Sequence, residues 1–463
     1  AEIGLFLSDQ PLVKHYQAYV GTAGPISFNG LVRHYDLRKG ETVADLVVNL
    51  VDKSERTLQS HDLVKSIRPA IQAIAQKHGA VVKLVEVPPG PPVLSTLVAE
   101  IYGPDYAQQI ALGKQVKKLF AQTKDVVDID WMMEDDQLGY RVVVNKEKAM
   151  QYGIATAQIN AAVAGASSGW TVGALQTPRS YAQTPIRLQL TDADKSSMEQ
   201  LLEMPIQTAQ GQTIALGNVV TVERNWEEKT IYRKNQKEVV YVLADMAGDL
   251  ESPFYAISKM SEDLKKLTLP PGFTLQESYT AAPANEDQFT LKWDGEWQIT
   301  FEVFRDLGIA FGAVLIIIYI LIVGWFQNFT VPLVMLAAIP LSLIGIVGGH
   351  WMMGAYFTAT SMIGFIALAG VMVRNSILLI DFINLRLAEN IPLKQAIIEA
   401  GAVRTTPILL TAGAVVLGAV IILFDPIFQG LAISLIGGTL TSTFLTLLVV
   451  PLLYFKMMRN KTK

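Results

Sequence analysis

Thr360-Ser-Met-Ile-Gly-Phe-Ile-Ala-Leu-Ala-Gly-Val-Met-Val-Arg-Asn-Ser-Ile-Leu-Leu-Ile-Asp-Phe382 is mostly apolar and long enough to cross a bilayer, yet it carries Arg374 and Asp381. Seven residues separate the two charges, about two helical turns, so both lie on one helix face. A charge deep in a membrane is costly, and such residues usually line an ion or proton path. The alternative is a structural ion pair tying two helices together.

The apolar character extends in both directions from this stretch. The chain has 463 residues, a formal net charge of -4 and a mean hydropathy of +0.32. Residues 307–456 are apolar for most of their length, whereas 1–304 alternate polar and apolar stretches in the globular way. The fold class expected is therefore α+β soluble subdomains followed by an α-helical transmembrane bundle. Spans are expected at about 307–325, 331–351, 358–385, 405–425 and 428–455, with a short amphipathic interfacial helix at about 390–401. Gly345, Gly348, Gly349, Gly437 and Gly438 suit close helix packing.

Lys and Arg set the orientation. Arg386, Lys394 and Arg404 follow the third span, and Lys456, Arg459, Lys461 and Lys463 follow the fifth. The positive-inside rule makes both of those sides cytoplasmic, and an odd number of spans puts the large N-terminal portion outside. The chain begins at Ala1 with no signal peptide, so a preceding membrane segment is expected to export that portion.

In the soluble part, 44–51, 61–78 and 80–86 read as strand, helix and strand, and 94–102, 105–122 and 126–131 repeat the pattern. A third copy reads at 238–246, 254–266 and 272–278. Ser60 is expected to cap the 61–78 helix. Residues 136–236, with a strand at 139–145 and helices at 146–152 and 156–165, read as an inserted subdomain. The expected domains are thus 1–92, 93–135 with 237–285, 136–236, and 305–463. The Glu86-Val-Pro-Pro-Gly-Pro-Pro-Val93 linker is stiffened by four prolines and reads as a rigid spacer or a substrate-touching loop.

Three runs carry a family resemblance. Arg374-Asn-Ser-Ile-Leu-Leu-Ile-Asp-Phe382 resembles the Lys-Asn-Ala-Ile-Leu-Ile-Val-Glu-Phe motif of proton-driven pumps of the resistance–nodulation–division (RND) superfamily. Arg404-Thr-Thr-Pro-Ile-Leu-Leu-Thr411 resembles the run that opens the following span there, and Asn145-Lys-Glu-Lys-Ala-Met-Gln-Tyr-Gly-Ile154 resembles a soluble-domain segment. The resemblance covers essentially the whole chain and matches the C-terminal half of such a pump: two porter subdomains, part of the docking domain and five spans.

The resemblance implies a proton relay at Arg374, Asn375, Asp381, Arg404 and Thr411, and a substrate path at Glu86, Pro88, Pro89, Gly90 and Pro91. It implies an inner-membrane secondary transporter, not an enzyme. The implied partners are an N-terminal half bearing acidic relay residues, two further copies in a homotrimer, a periplasmic adaptor, an outer-membrane channel and membrane lipids. Drugs or other amphiphilic molecules are the implied cargo, by proton antiport. Arg374 stands where the family has Lys, and Arg stays charged to about pH 12 or beyond, so it is expected to act as a fixed countercharge. The proline-rich linker lacks the phenylalanines that line the family's corresponding loop. Metal ions remain an alternative cargo, although the adjacent pairs Met132–Met133 and Met352–Met353 are poorly arranged as ligands. An auxiliary protein for lipid or protein export and a non-transporting scaffold are further alternatives.

Other chemistry finds little support in the sequence. There is no cysteine, and His15, His34, His61, His78 and His350 are scattered without metal-ligand spacing. Ser60, His61 and Asp62 are sequential neighbours, not a convergent triad. The Gly165–Gly173 segment lacks the Lys of a phosphate loop, and no cofactor is implied. The mild acidity, without a basic cluster, argues against nucleic acid. Trp170 reads as a core aromatic or a contact between protomers.

Overall fold

The computed structural model describes all residues except 34–37, 41, 87–92, 177–182, 196, 249–250, 426 and 460–463; for Phe28 and Asn29 it describes the backbone. The chain divides into two compact units, Ala1–Met132 with Tyr232–Lys463, and Met133–Ile231.

The larger unit holds a five-stranded sheet in the order Leu275–Ser278, Phe289–Gly295, Leu97–Tyr102, Val240–Met246, Val126–Trp131. Only the first pair is parallel. The period of two along each strand explains why the sheet has two unlike faces. Leu97, Ala99, Ile101, Val240, Val242, Leu291 and Trp293 are buried on one face. The Tyr106–Gln122 helix packs on that face, with Phe120 stacked on Trp293 at 6.0 Å and Gly113 against Val240. Charged side chains, among them Glu100, Asp245 and Lys292, occupy the other face and are buried as well.

Before this sheet come an antiparallel pair, Val13–Val20 with Ala44–Leu50, and the Ser60–Lys77 helix. Leu63, Ile67 and Ile71 of that helix share a small core with Leu7, Val82 and Leu84. The expected strand at 80–86 does not form. Val82 and Leu84 reach the core, but the Leu84 N–H donates to the Asp128 carboxylate (3.1 Å) instead of to a neighbouring strand. Ser60 is the first helical residue, not the cap; Gln59 holds the cap position with no side-chain hydrogen bond.

Among the described residues, five helices are long and apolar enough to cross a membrane: Glu296–Phe326, Val331–Met353, Ala359–Ala388, Leu393–Ile422 and Gln429–Arg459. The first continues directly from the sheet through Gly295, whose φ of 78° marks the turn out of the last strand. The second is broken near Pro340 and Ser342 into Val331–Leu336, Ala338–Leu341 and Leu343–Met353. The third opens on a capping box between Thr358 and Ser361. The fourth corrects the expected separate helix at 390–401, which runs without interruption into the span. Ala396, Ala400, Ile408, Ala412 and Ala419 form one continuous buried stripe along it, so the packing surface has no break at which the helix would end.

The fifth helix packs against the second, third and fourth. Small residues allow that approach. A Cβ at Gly437 would lie 2.4 Å from the Gly345 carbonyl oxygen, and one at Gly438 would lie 2.2 Å from Leu368. Gly349 also faces the fifth helix, whereas Gly348 faces open space and takes no part. More than half of the third helix's apolar window is buried (56%), against 6% for the first.

The smaller unit has its own core of Ala149, Ile154, Ile159, Ile206, Leu216, Val219 and Val220. Its main strand pair is Leu138–Val144 with Val220–Trp226, followed by helices Lys146–Gln151 and Thr156–Ser168. The Asn145 side chain accepts from the Lys148 N–H and starts the first of these helices. Trp170 lies in the ribbon Trp170–Leu175 with Thr184–Leu188 and is 44% exposed, so it is not a core aromatic; its ring rests on Gly165, where a Cβ would clash at 1.8 Å.

Gly437→Val should destabilise the helix bundle by about 1–3 kcal/mol through overpacking, while Gly348→Ala should be neutral. Thermal unfolding midpoints of the two variants in one detergent check this contrast.

Candidate functional site

The third membrane helix presents two unlike faces. Leu368, Ala369, Met372, Val373, Asn375, Ser376, Leu379 and Ile380 are buried. Positions 363, 367, 370, 374, 378, 381, 385 and 388 are all exposed, at helical spacing of three and four. Arg374 and Asp381 therefore lie on a face that the described residues leave uncovered. Neither makes a hydrogen bond or ion pair among those residues, and they stand about 10 Å apart along the axis. Among the described residues, then, no ion pair between two helices holds Arg374.

The other expected relay residues are only partly gathered with it. Asn375 is 5% exposed and turns to the buried face beside Ser376. Thr411 is half-buried and donates to its own helix at the Ile408 carbonyl, 2.9 Å away. Arg404 comes to Phe382, the residue after Asp381, with its guanidinium carbon 5.1 Å from the ring centroid. Arg386 lies at the same distance from that ring, and it also pairs with Glu389 at 2.7 Å and approaches Glu399 at 3.4 Å. The Arg404 Nε is buried without a hydrogen-bond partner among the described residues, and the ring contact is the interaction its guanidinium makes there.

On the soluble side, Glu86 meets His61 Nδ1 at 2.9 Å. The remaining substrate-path residues, Pro88, Pro89, Gly90 and Pro91, lie outside the described residues.

Sequence reasoning missed a seam of charge between the N-terminal segment and the polar face of the sheet. Arg33 pairs with Asp245 (2.7 Å), Arg68 with Asp128 (2.5 Å), Lys65 with Glu251 (2.9 Å), and Lys83 with Asp130. Burial alone would raise the pKa of Asp245, but Arg33 and the Thr96 N–H hold it below the ordinary carboxylate value. A second buried network joins Glu100, Tyr102, Lys234, Lys292 and Asp294. Burial and the neighbouring Asp294 push Glu100 up; Asp294 stays low despite its own burial because Glu100 and the lysines hydrogen-bond or attract it. The available signal was the charge within strands: Glu100, Asp128, Asp130, Asp245 and Lys292 all interrupt apolar alternation.

The sequence profile of the AcrB/AcrD/AcrF family matches residues 15–458. The chain belongs to that family of RND permeases. It is 27% identical over 350 residues to the swarming motility protein SwrC of Bacillus subtilis, covering 74% of this chain and 31% of that protein. It is also 27% identical over 376 residues to the cobalt-zinc-cadmium resistance protein CzcA of Cupriavidus metallidurans, covering 78% and 33%. The chain spans about a third of the length of the curated relatives it matches. A crystal structure of a heavy metal efflux pump has the same fold, with a TM-score of 0.75 at 21% identity over 99% of this chain and 45% of that one. Membership in this family accords with the five apolar helices and the α+β subdomains.

Asp245→Ala should remove the carboxylate that pairs with Arg33 and accepts from Thr96, and cost about 3 kcal/mol, as loss of one partner of a buried pair does. Because the Asp245 pKa is depressed on folding, its contribution is present above the ordinary value of about 4 and disappears as pH falls through the lower folded value. The variant's thermal midpoint should therefore trail the parent's at pH 7 and converge with it in strong acid.

Proposed function

We propose that this chain forms the C-terminal half of an RND efflux pump driven by the proton-motive force. The observation that carries the reading is the uncovered stripe of the third membrane helix with Arg374 and Asp381 on it. An unpaired charge at that depth needs a protein partner, and RND membership points to acidic residues on a membrane helix outside these 463 residues. Arg374 cannot cycle its own proton at ordinary pH. It lowers the pKa of a neighbouring acid by about 1–3 units, and protonation of that acid releases it. Proton carriage belongs to the partner acids; Arg374 is the fixed charge they capture and let go. Asp381, Arg404 and Thr411 line the route toward the cytoplasmic end, where Arg404 and Arg386 flank Phe382. Asn375 acts from the buried face as a support for the helix.

In this reading the soluble part before the first membrane helix lies in the periplasm and the C-terminus in the cytoplasm. The whole is an inner-membrane homotrimer that meets a periplasmic adaptor and an outer-membrane channel. The soluble domains divide as 1–92, 93–135 with 237–285, and 136–236. The cargo is an amphiphilic small molecule. An aromatic cluster beside the start of the first membrane helix supports that class: Trp297 stacks on Phe254 (5.9 Å), meets Tyr279 edge-on (6.2 Å) and lies 6.5 Å from Phe301. Phe254 and Tyr279 are substantially exposed, so the cluster offers apolar ring surface near the bilayer boundary. Metal export is a second reading, favoured by relatives such as CzcA and by the heavy metal pump that shares the fold.

Reconstitution of the complete pump in proteoliposomes with an imposed proton gradient tests these assignments. Arg374→Ala should abolish coupled dye transport while leaving assembly intact, and Arg374→Lys should retain it. Full activity in Arg374→Ala would overturn the relay assignment. Transport of a divalent or monovalent soft metal in place of the dye would replace the amphiphile reading with the metal one.

A further inference from the structure

His61, in the first turn of the Ser60–Lys77 helix, has a carboxylate oxygen on each ring nitrogen. Glu86 Oε1 lies 2.9 Å from Nδ1 and Glu251 Oε1 lies 2.8 Å from Nε2. A neutral imidazole has one N–H and one lone pair. With both acids ionised, a neutral ring would set its lone pair against a carboxylate lone pair at one of the two contacts. Imidazolium donates to both. The geometry therefore fits the charged ring.

The node joins three elements. Glu86 ends the segment 80–86, Glu251 precedes the Pro253–Leu264 helix, and His61 belongs to the N-terminal helix. Lys65, one turn along, donates to Glu251 (2.9 Å) and to the Gly248 carbonyl (2.6 Å). The Gly248 N–H also points to Glu251, at 3.3 Å. Asp62 follows His61 on the same helix, Lys83 on the 80–86 segment pairs with Asp130, and Gly248 packs against Asp125. Burial works to lower the His61 pKa, but the hydrogen bonds its ring donates to Glu251 and Glu86 outweigh it and raise the value. Glu251 is lowered despite burial by His61 and Lys65.

We propose that His61 is a proton-operated latch between the N-terminal subdomain and the five-stranded sheet subdomain. The imidazolium clasps Glu86 and Glu251 together; loss of its proton breaks one clasp and loosens the seam at that edge. The other pairs across the seam, Arg33–Asp245, Arg68–Asp128 and Lys83–Asp130, contain no histidine and act as the hinge side. The sign follows from the raised pKa. The clasp is complete below the ordinary imidazole value of about 6.5 and is lost as pH rises through the higher folded value. The latch responds to the pH of the compartment that holds the soluble domains, and it closes on the residue that opens the 87–92 linker.

No cysteine occurs in these 463 residues, so spin labels can be placed selectively within the chain. Ala73→Cys on the N-terminal helix and Lys259→Cys on the Pro253–Leu264 helix are both at exposed positions, one on each side of the seam. Electron–electron distances in the complete pump in lipid nanodiscs would be measured at pH 5.5 and 8.5. The native protein should give a narrow distribution at pH 5.5 that broadens and lengthens at pH 8.5. His61→Ala should be broad at both, and His61→Lys, a permanent cation, narrow at both. A native distribution unchanged between the two pH values would overturn the latch. So would a His61→Ala protein that keeps the native response or stays narrow throughout.

Discussion

The cost of a full charge in hydrocarbon governs this molecule. Arg374 and Asp381 sit within a helix otherwise built to be buried, and the chain itself supplies neither with a partner among the described residues. Hydrocarbon would penalise them by several kcal/mol each. The arrangement is stable only if protein or water completes that face.

The fifth helix does most to hold that face outward. Its glycines and small hydroxyl residues approach the second and third helices so closely that backbone nearly touches backbone at Gly345 and Gly437. Packing of this kind leaves little freedom to rotate the third helix, so the rotation that buries Asn375 and Ser376 fixes Arg374 on the opposite side. The soluble part is built differently. The apolar core of its N-terminal segment is small, and the seam between that segment and the sheet is closed by ion pairs. Polar interfaces of this type favour relative motion of the parts they join. A rigid membrane scaffold thus continues, through the unbroken helix after Gly295, into a sheet that contacts its neighbour through charge.

Much of this was legible in the sequence because hydrophobic periodicity reports burial directly. The five spans, the strand–helix units around 97–131 and the inserted unit all follow from it. The misreadings came where a long-range contact outweighed a local pattern. Residues 80–86 alternate like a strand, but Asp128, far along the chain, takes the Leu84 N–H. Residues 390–401 look like a separate amphipathic helix, but the buried alanine stripe continues past Gly401. At the candidate site, Arg374 and Asp381 stood out as isolated charges in an apolar run. The exposure of their shared face did not, because exposure depends on which neighbouring helix covers which side. His61 looked scattered because its two carboxylates come from segments 25 and 190 residues away.

The central claim is that Arg374 is captured by acidic residues from a membrane helix outside this chain. The most direct test is a high-resolution structure of the complete pump in nanodiscs, read at the Arg374 guanidinium. The account predicts at least one carboxylate from such a helix within about 4 Å, the reach of an ion pair. Lipid chains against Arg374, or an apolar helix face with no acid opposite it, would contradict the account.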